Sequence, residues 1–100
     1  MGKAQLNELP IPPAVRKHGD GVELGRIWAA GGNQHVSLAS GVWEDPFNWG
    51  MMLVDLARHV ANAYEQREGR SRAWVLARIK QGFDAEWADP TDEARGRLLD

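Results

Sequence analysis

Between Asp45 and Gly69 the apolar residues Trp49, Met52, Leu53, Leu56, Val60 and Tyr64 recur three and four apart, the spacing at which one face of an α-helix repeats. Asp45 supplies a polar cap, Pro46 suits the first helical position and Gly69 suits a left-handed stop. Pattern and punctuation together predict an amphipathic helix from Pro46 to about Glu68. A second stripe of Val75, Leu76, Ile79, Phe83 and Trp87 follows Ser71. With Ser71 as cap it predicts a helix to about Ala88, ended by Asp89-Pro90-Thr91-Asp92. Gly82 lies inside this helix at a propensity cost of about 1 kcal/mol relative to alanine, which we read as a close approach to another element. Gly69-Arg70 is a short connection, so the two helices are expected to run antiparallel.

Ahead of the helices the periodicity changes to two. Val22 to Ala30 reads as a strand in which Val22 and Leu24 share a face and Ile27 lies on the other. Gly25, between them, is read as a bulge that resets the register. Gly31-Gly32-Asn33 makes a turn, and Gln34 to Ala39 a second strand with Val36 and Leu38 inward. The result is an antiparallel hairpin. The predicted fold is therefore α+β, a hairpin followed by two antiparallel amphipathic helices in the order ββαα. A two-stranded ribbon is unstable by itself, so it is expected to lie on the helix pair, with Trp49, Leu56, Val60, Ile79, Phe83 and Trp87 between them. Neither strand carries a proline, and the open edges let a second copy extend the sheet; a homodimer is the expectation.

This organisation sets residues 1–8 apart as a loose polar segment, 9–91 as a single domain and 92–100 as a tail, where Leu98 and Leu99 are the apolar residues available to dock. Leu9-Pro10-Ile11-Pro12-Pro13 favours an extended path. Either it presents Pro10 and Pro13 to a proline-recognition groove, or it lays Leu9 and Ile11 on the domain's own core. The second reading is preferred because a lone PxxP is weakly specific. Pro13 to Lys17 has room for one helical turn before His18-Gly19-Asp20-Gly21.

Composition narrows the functional classes. Twelve Lys and Arg against fourteen Asp and Glu give a net charge of -2, which disfavours a dedicated nucleic-acid binder and an anionic membrane surface as partner. There is no cysteine, which removes disulfide and thiol chemistry. Met1 to Asp20 holds no long apolar run, and no stretch reaches the roughly twenty apolar residues of a membrane span. A cytoplasmic location is the default expectation, with no membrane partner and no cofactor.

Four constellations carry candidate chemistry. Asp55 and His59, four apart on the first helix, have the spacing of a carboxylate that orients an imidazole base. The competing view is a local pair beside the apolar stripe. His18, His35 and His59 lack any ligand spacing, so no metal site is expected. Arg67, Arg70 and Arg72 crowd the inter-helix turn, and with Ser71 at a helix N-terminus they form a weak anion-site candidate. Of five tryptophans, Trp43, which precedes the helix cap and is expected to close over the hairpin, and Trp74, which lies off its helix's best face, are candidate interface anchors.

Leu9-Pro10-Ile11-Pro12-Pro13, Asp45-Pro46 with Trp49-Gly50, Leu56-Ala57-Arg58-His59 and Gly82-Phe83-Asp84-Ala85-Glu86-Trp87 together resemble a family of short, uncharacterised, mainly alphaproteobacterial proteins classed as a domain of unknown function. The resemblance runs from about Leu9 to Thr91 and implies a bacterial stand-alone domain, with no activity or site residues attached. The sequence thus favours a non-catalytic interaction or structural module acting as a homodimer, with an unidentified protein as a further partner. The alternative is a small-molecule or anion-binding protein, or an enzyme using Asp55 and His59.

Overall fold

A computed structural model of the chain describes residues 6–91 and 97–98. Its elements run α1 (Pro13–His18), β1 (Gly25–Ala30), β2 (Asn33–Leu38), α2 (Phe47–Glu68), α3 (Arg72–Ala88) and β3 (Arg97–Leu98). The fold is α+β, an antiparallel hairpin followed by two helices.

The helix boundaries follow from their caps. The Asp45 carboxylate accepts the Phe47 N–H at 3.0 Å and so opens α2 one residue later than its proline suggests. Gly69 closes α2 at φ 68°, its N–H donating to Glu65 O at 2.9 Å, a left-handed cap that a Cβ would strain. Ser71 Oγ accepts the Trp74 N–H at 3.3 Å and starts α3, which runs to Ala88. Gly82 falls in unbroken helix, and a Cβ there would meet nothing within 4 Å. The close approach expected at Gly82 is absent among the described residues.

In the hairpin, Gly31 and Gly32 have φ of 60° and 77°, the positive values that a two-residue turn matched to strand twist demands. Asn33 already belongs to the ladder, opposite Ala30. Pairing continues without interruption through Ile27 opposite Val36 to Gly25 opposite Leu38. There is no bulge at Gly25. The strand begins there, so Val22 and Leu24 precede it and the apparent slip in alternation disappears. Gly25 is needed for proximity: a Cβ would stand 2.9 Å from Ser37 O and 3.1 Å from Leu38 Cδ2. Gly25→Ala, which stabilises an unobstructed strand, is therefore expected to cost about 1 kcal/mol here, read as a lower urea midpoint at unchanged slope. An unchanged or higher midpoint would show that this approach is not tight.

The tail contributes a third strand that periodicity does not reveal. β3 pairs parallel to β2, Arg97 opposite Ser37 and Leu98 opposite Leu38, giving the sheet order β1-β2-β3.

The expected packing of ribbon on helices does not occur. No Cα of β1 or β2 lies within 8 Å of a Cα of α2 or α3. The two pairs are linked by the segment 39–46, where Ala39 N–H donates to Leu24 O at 2.9 Å and Trp43 meets Trp49 edge-on at 4.8 Å. Only Ala61 (0% exposed) and Val75 (4%) are buried among the described residues. Both lie where α2 crosses α3, and Ala61 there allows the helices to approach. Leu56, Val60 and Phe83 are exposed, Ile79 and Trp49 are half-buried, and Trp87, expected inside, is 78% exposed and stacks on Phe83 at 5.6 Å. The radius of gyration is 16.0 Å, against about 13 Å for a compact domain of this length. Among the described residues the large apolar side chains of sheet and helices, Val75 apart, are left half-buried or exposed.

Candidate functional site

The N-terminal arm runs beside β1. Glu8 Oε2 accepts from Arg26 Nη1 at 2.8 Å, and Glu23 Oε1 accepts from Arg26 Nε at 2.9 Å. Those bonds and charges, Glu23's first, raise the pKa of the Arg26 guanidinium further above its ordinary value. The arm and β1 border an open groove of about 470 Å³ whose lining includes Leu9, Ile11, Val15, Ile27 and Trp28. Leu9 remains 92% exposed, so the arm does not bury its apolar residues on a core as expected. The signal for this site in sequence was limited to the three prolines; the Glu8–Arg26–Glu23 bridge joins residues with no periodic relation.

The residues singled out from the sequence separate into two clusters at opposite ends of the helix pair. At one end Asp55 lines a concavity of about 330 Å³ with Leu24, Trp43, Asn48, Met51 and Met52. Trp43 is half-buried there, edge-on to Trp49 at the start of α2. Among the described residues no hydrogen bond joins Asp55 to His59; the carboxylate accepts instead from Arg58 Nη1 at 3.4 Å. This exposed pair contributes little stability.

At the other end the Arg70 guanidinium carbon lies 5.8 Å from the ring centres of both Tyr64 and Trp74, while its Nε pairs with Glu68 Oε1 at 3.2 Å. Arg72 Nη1 donates to Asn62 Oδ1 at 3.1 Å, tying α3 back to α2. Ser71 Oγ is engaged as the cap of α3. The turn's cations thus hold the helix pair together, Arg70 by lying over two rings and Arg72 by bridging. Trp74 is exposed, as its position off the stripe suggested. From Asp55 to Arg70 is about 20 Å along the helix at 1.5 Å per residue, so the two clusters form no single site. His35 stands apart on the sheet, its Nε2–H donating to Ala30 O at 3.0 Å. Among the described residues no three His, Asp or Glu side chains converge on a point that suits a metal ion, and no helix is long and apolar enough to cross a membrane.

What remains prominent is surface. Along α2, Leu53, Leu56 and Val60 keep 38–47% of their area in solvent while the small Ala61 faces α3. The family model of a domain of unknown function, DUF5076, matches residues 8–91. The chain belongs to the DUF5076 family. A solved structure from the photosynthetic bacterium Rhodopseudomonas palustrus CGA009, described as a "putative pyruvate dehydrogenase", is similar to this DUF5076 chain at 32% identity and a TM-score of 0.75. The match covers 98% of this chain and 100% of that one. No curated protein matches.

Proposed function

We propose that this DUF5076 protein is a non-catalytic structural or interaction module that works as a homodimer. The observation that carries the reading is the mismatch between a core of Ala61 and Val75 and the large apolar side chains left in solvent on both helices and on β1. An ordinary monomer of 11.1 kDa exposes about 5,700 Å², whereas this chain exposes 9303 Å². An obligate interface of about 2,000–5,000 Å² takes about 1,000–2,500 Å² from each partner, so a dimer would cover part of this surplus. Light scattering on the purified protein is expected to give twice the chain mass at micromolar concentration. A single-chain mass at millimolar concentration would remove the reading.

A second reading, a ligand-binding protein or enzyme, draws on the description of the Rhodopseudomonas structure. Against it stand the missing Asp55–His59 hydrogen bond and the separation of Asp55 from the arginine turn, since catalysis needs groups that converge in reach of one substrate. Titration with pyruvate separates the readings: saturable thermal stabilisation, lost in His59→Ala, would favour the ligand site over the module.

A further inference from the structure

The helix pair presents two kinds of surface, and of the second only the Trp49 end is covered within the chain, by Trp43. α2 lies against α3, and the residues the pair covers most are small ones on α2, Ala57 half-buried and Ala61 fully buried, with Val75 buried on α3. The larger residues of α2 lie to one side of that contact. Trp49, Leu53, Leu56, Val60 and Ala63 are spaced four, three, four and three apart. A 4-3 alternation is narrower than the stripe of a helix lying on a sheet; it is the seam along which one helix packs its side chains between those of another.

We infer that this seam is filled by the α2 seam of a second copy of the chain, so that two α2–α3 pairs join as a four-helix unit. The inference rests on the homodimer reading and adds to it the surface through which the copies meet. Three observations favour a second copy as the occupant. The chain exposes more surplus area than the roughly 1,000–2,500 Å² each copy gives to an obligate dimer, so the area such an interface needs is present. The positions flanking the seam are Gly50, Met52, Ala57, His59, Tyr64 and Gln66, none a fixed charge, so a symmetric pairing sets no like charges against each other. The only fixed charges between Trp49 and Tyr64 are Asp55 and Arg58, which fall on the opposite side of the helix and pair with one another. A charged partner would find nothing along this face to complement; an identical apolar seam finds itself.

The absence of cysteine makes the test direct. Single substitutions Leu53→Cys, Leu56→Cys and Val60→Cys are compared with Arg26→Cys on β1 and Phe83→Cys on α3. Mild oxidation is expected to link at least one seam variant as a covalent dimer and to leave the other two positions unlinked. In parallel, Leu56→Glu is expected to raise the dimer dissociation constant at least about a hundredfold, because two-fold symmetry buries a carboxylate from each copy. Circular dichroism checks that it retains helix, and if it does not, the cysteine variants decide alone. A dimer that links through Arg26→Cys or Phe83→Cys and at no seam position overturns the seam while leaving the homodimer intact. So does a folded Leu56→Glu protein that dimerises like the parent. A monomeric parent overturns both.

Discussion

A tenfold increase in protein concentration is expected to add about 1.4 kcal/mol to the apparent stability, because a dimer that unfolds to two separate chains is governed by mass action. The magnitude matters because so little of the chain's stability comes from within it. Ala61 and Val75 are the buried residues among those described, and no Cα of β1 or β2 comes within 8 Å of one in α2 or α3. A chain with so small a core has almost nothing to set against the entropy of ordering its backbone, about 1–2 kcal/mol per residue. Urea unfolding followed by helix ellipticity over three decades of concentration is the measurement. Midpoints that rise with concentration at constant slope support the account, and superimposable curves would contradict it.

Ala61→Leu is expected to lower the melting temperature by roughly 5–20 °C, from an overpacking cost of about 1–3 kcal/mol. Ala61 is fully buried where α2 faces Val75, so the added carbons force the helices apart. That would also loosen the Arg72–Asn62 bridge. Calorimetry at one fixed concentration reads the effect, with Ala63→Leu as comparison because Ala63 is exposed in the single chain. If Ala61→Leu melted with the parent, the α2–α3 contact described here would be wrong.

The features legible in the sequence are those whose causes are local. The α2 boundaries could be read because Asp45 and Gly69 each act within a few residues of themselves, and Ser71 announced α3 in the same way. The glycine turn was equally plain, since positive φ at Gly31 and Gly32 is a demand on the residue itself. What escaped is set by neighbours distant in the chain. Gly25 looked like a break in alternation, but its reason is Ser37 across the ladder. β3 is two residues long and is held by pairing to β2, not by any pattern of its own. Trp87 and Phe83 fit a helical stripe, yet a stripe states only that a face wants cover and not which molecule supplies it. For the same reason Asp55 and His59 had the right spacing without the bond: on a helix, Arg58 competes for the same carboxylate.

The hairpin and the helical pair each close through glycines between elements adjacent in sequence, and the links between more distant parts include β3 on β2, the Glu8–Arg26 pair and the Ala39–Leu24 bond. Units of that kind form within microseconds of synthesis, whereas the meeting of two molecules is paced by how many are present. Before that meeting each newly made molecule would hold its hairpin and helices only marginally, so the length of its sticky interval in a cell depends on abundance and not on any slow rearrangement of its own.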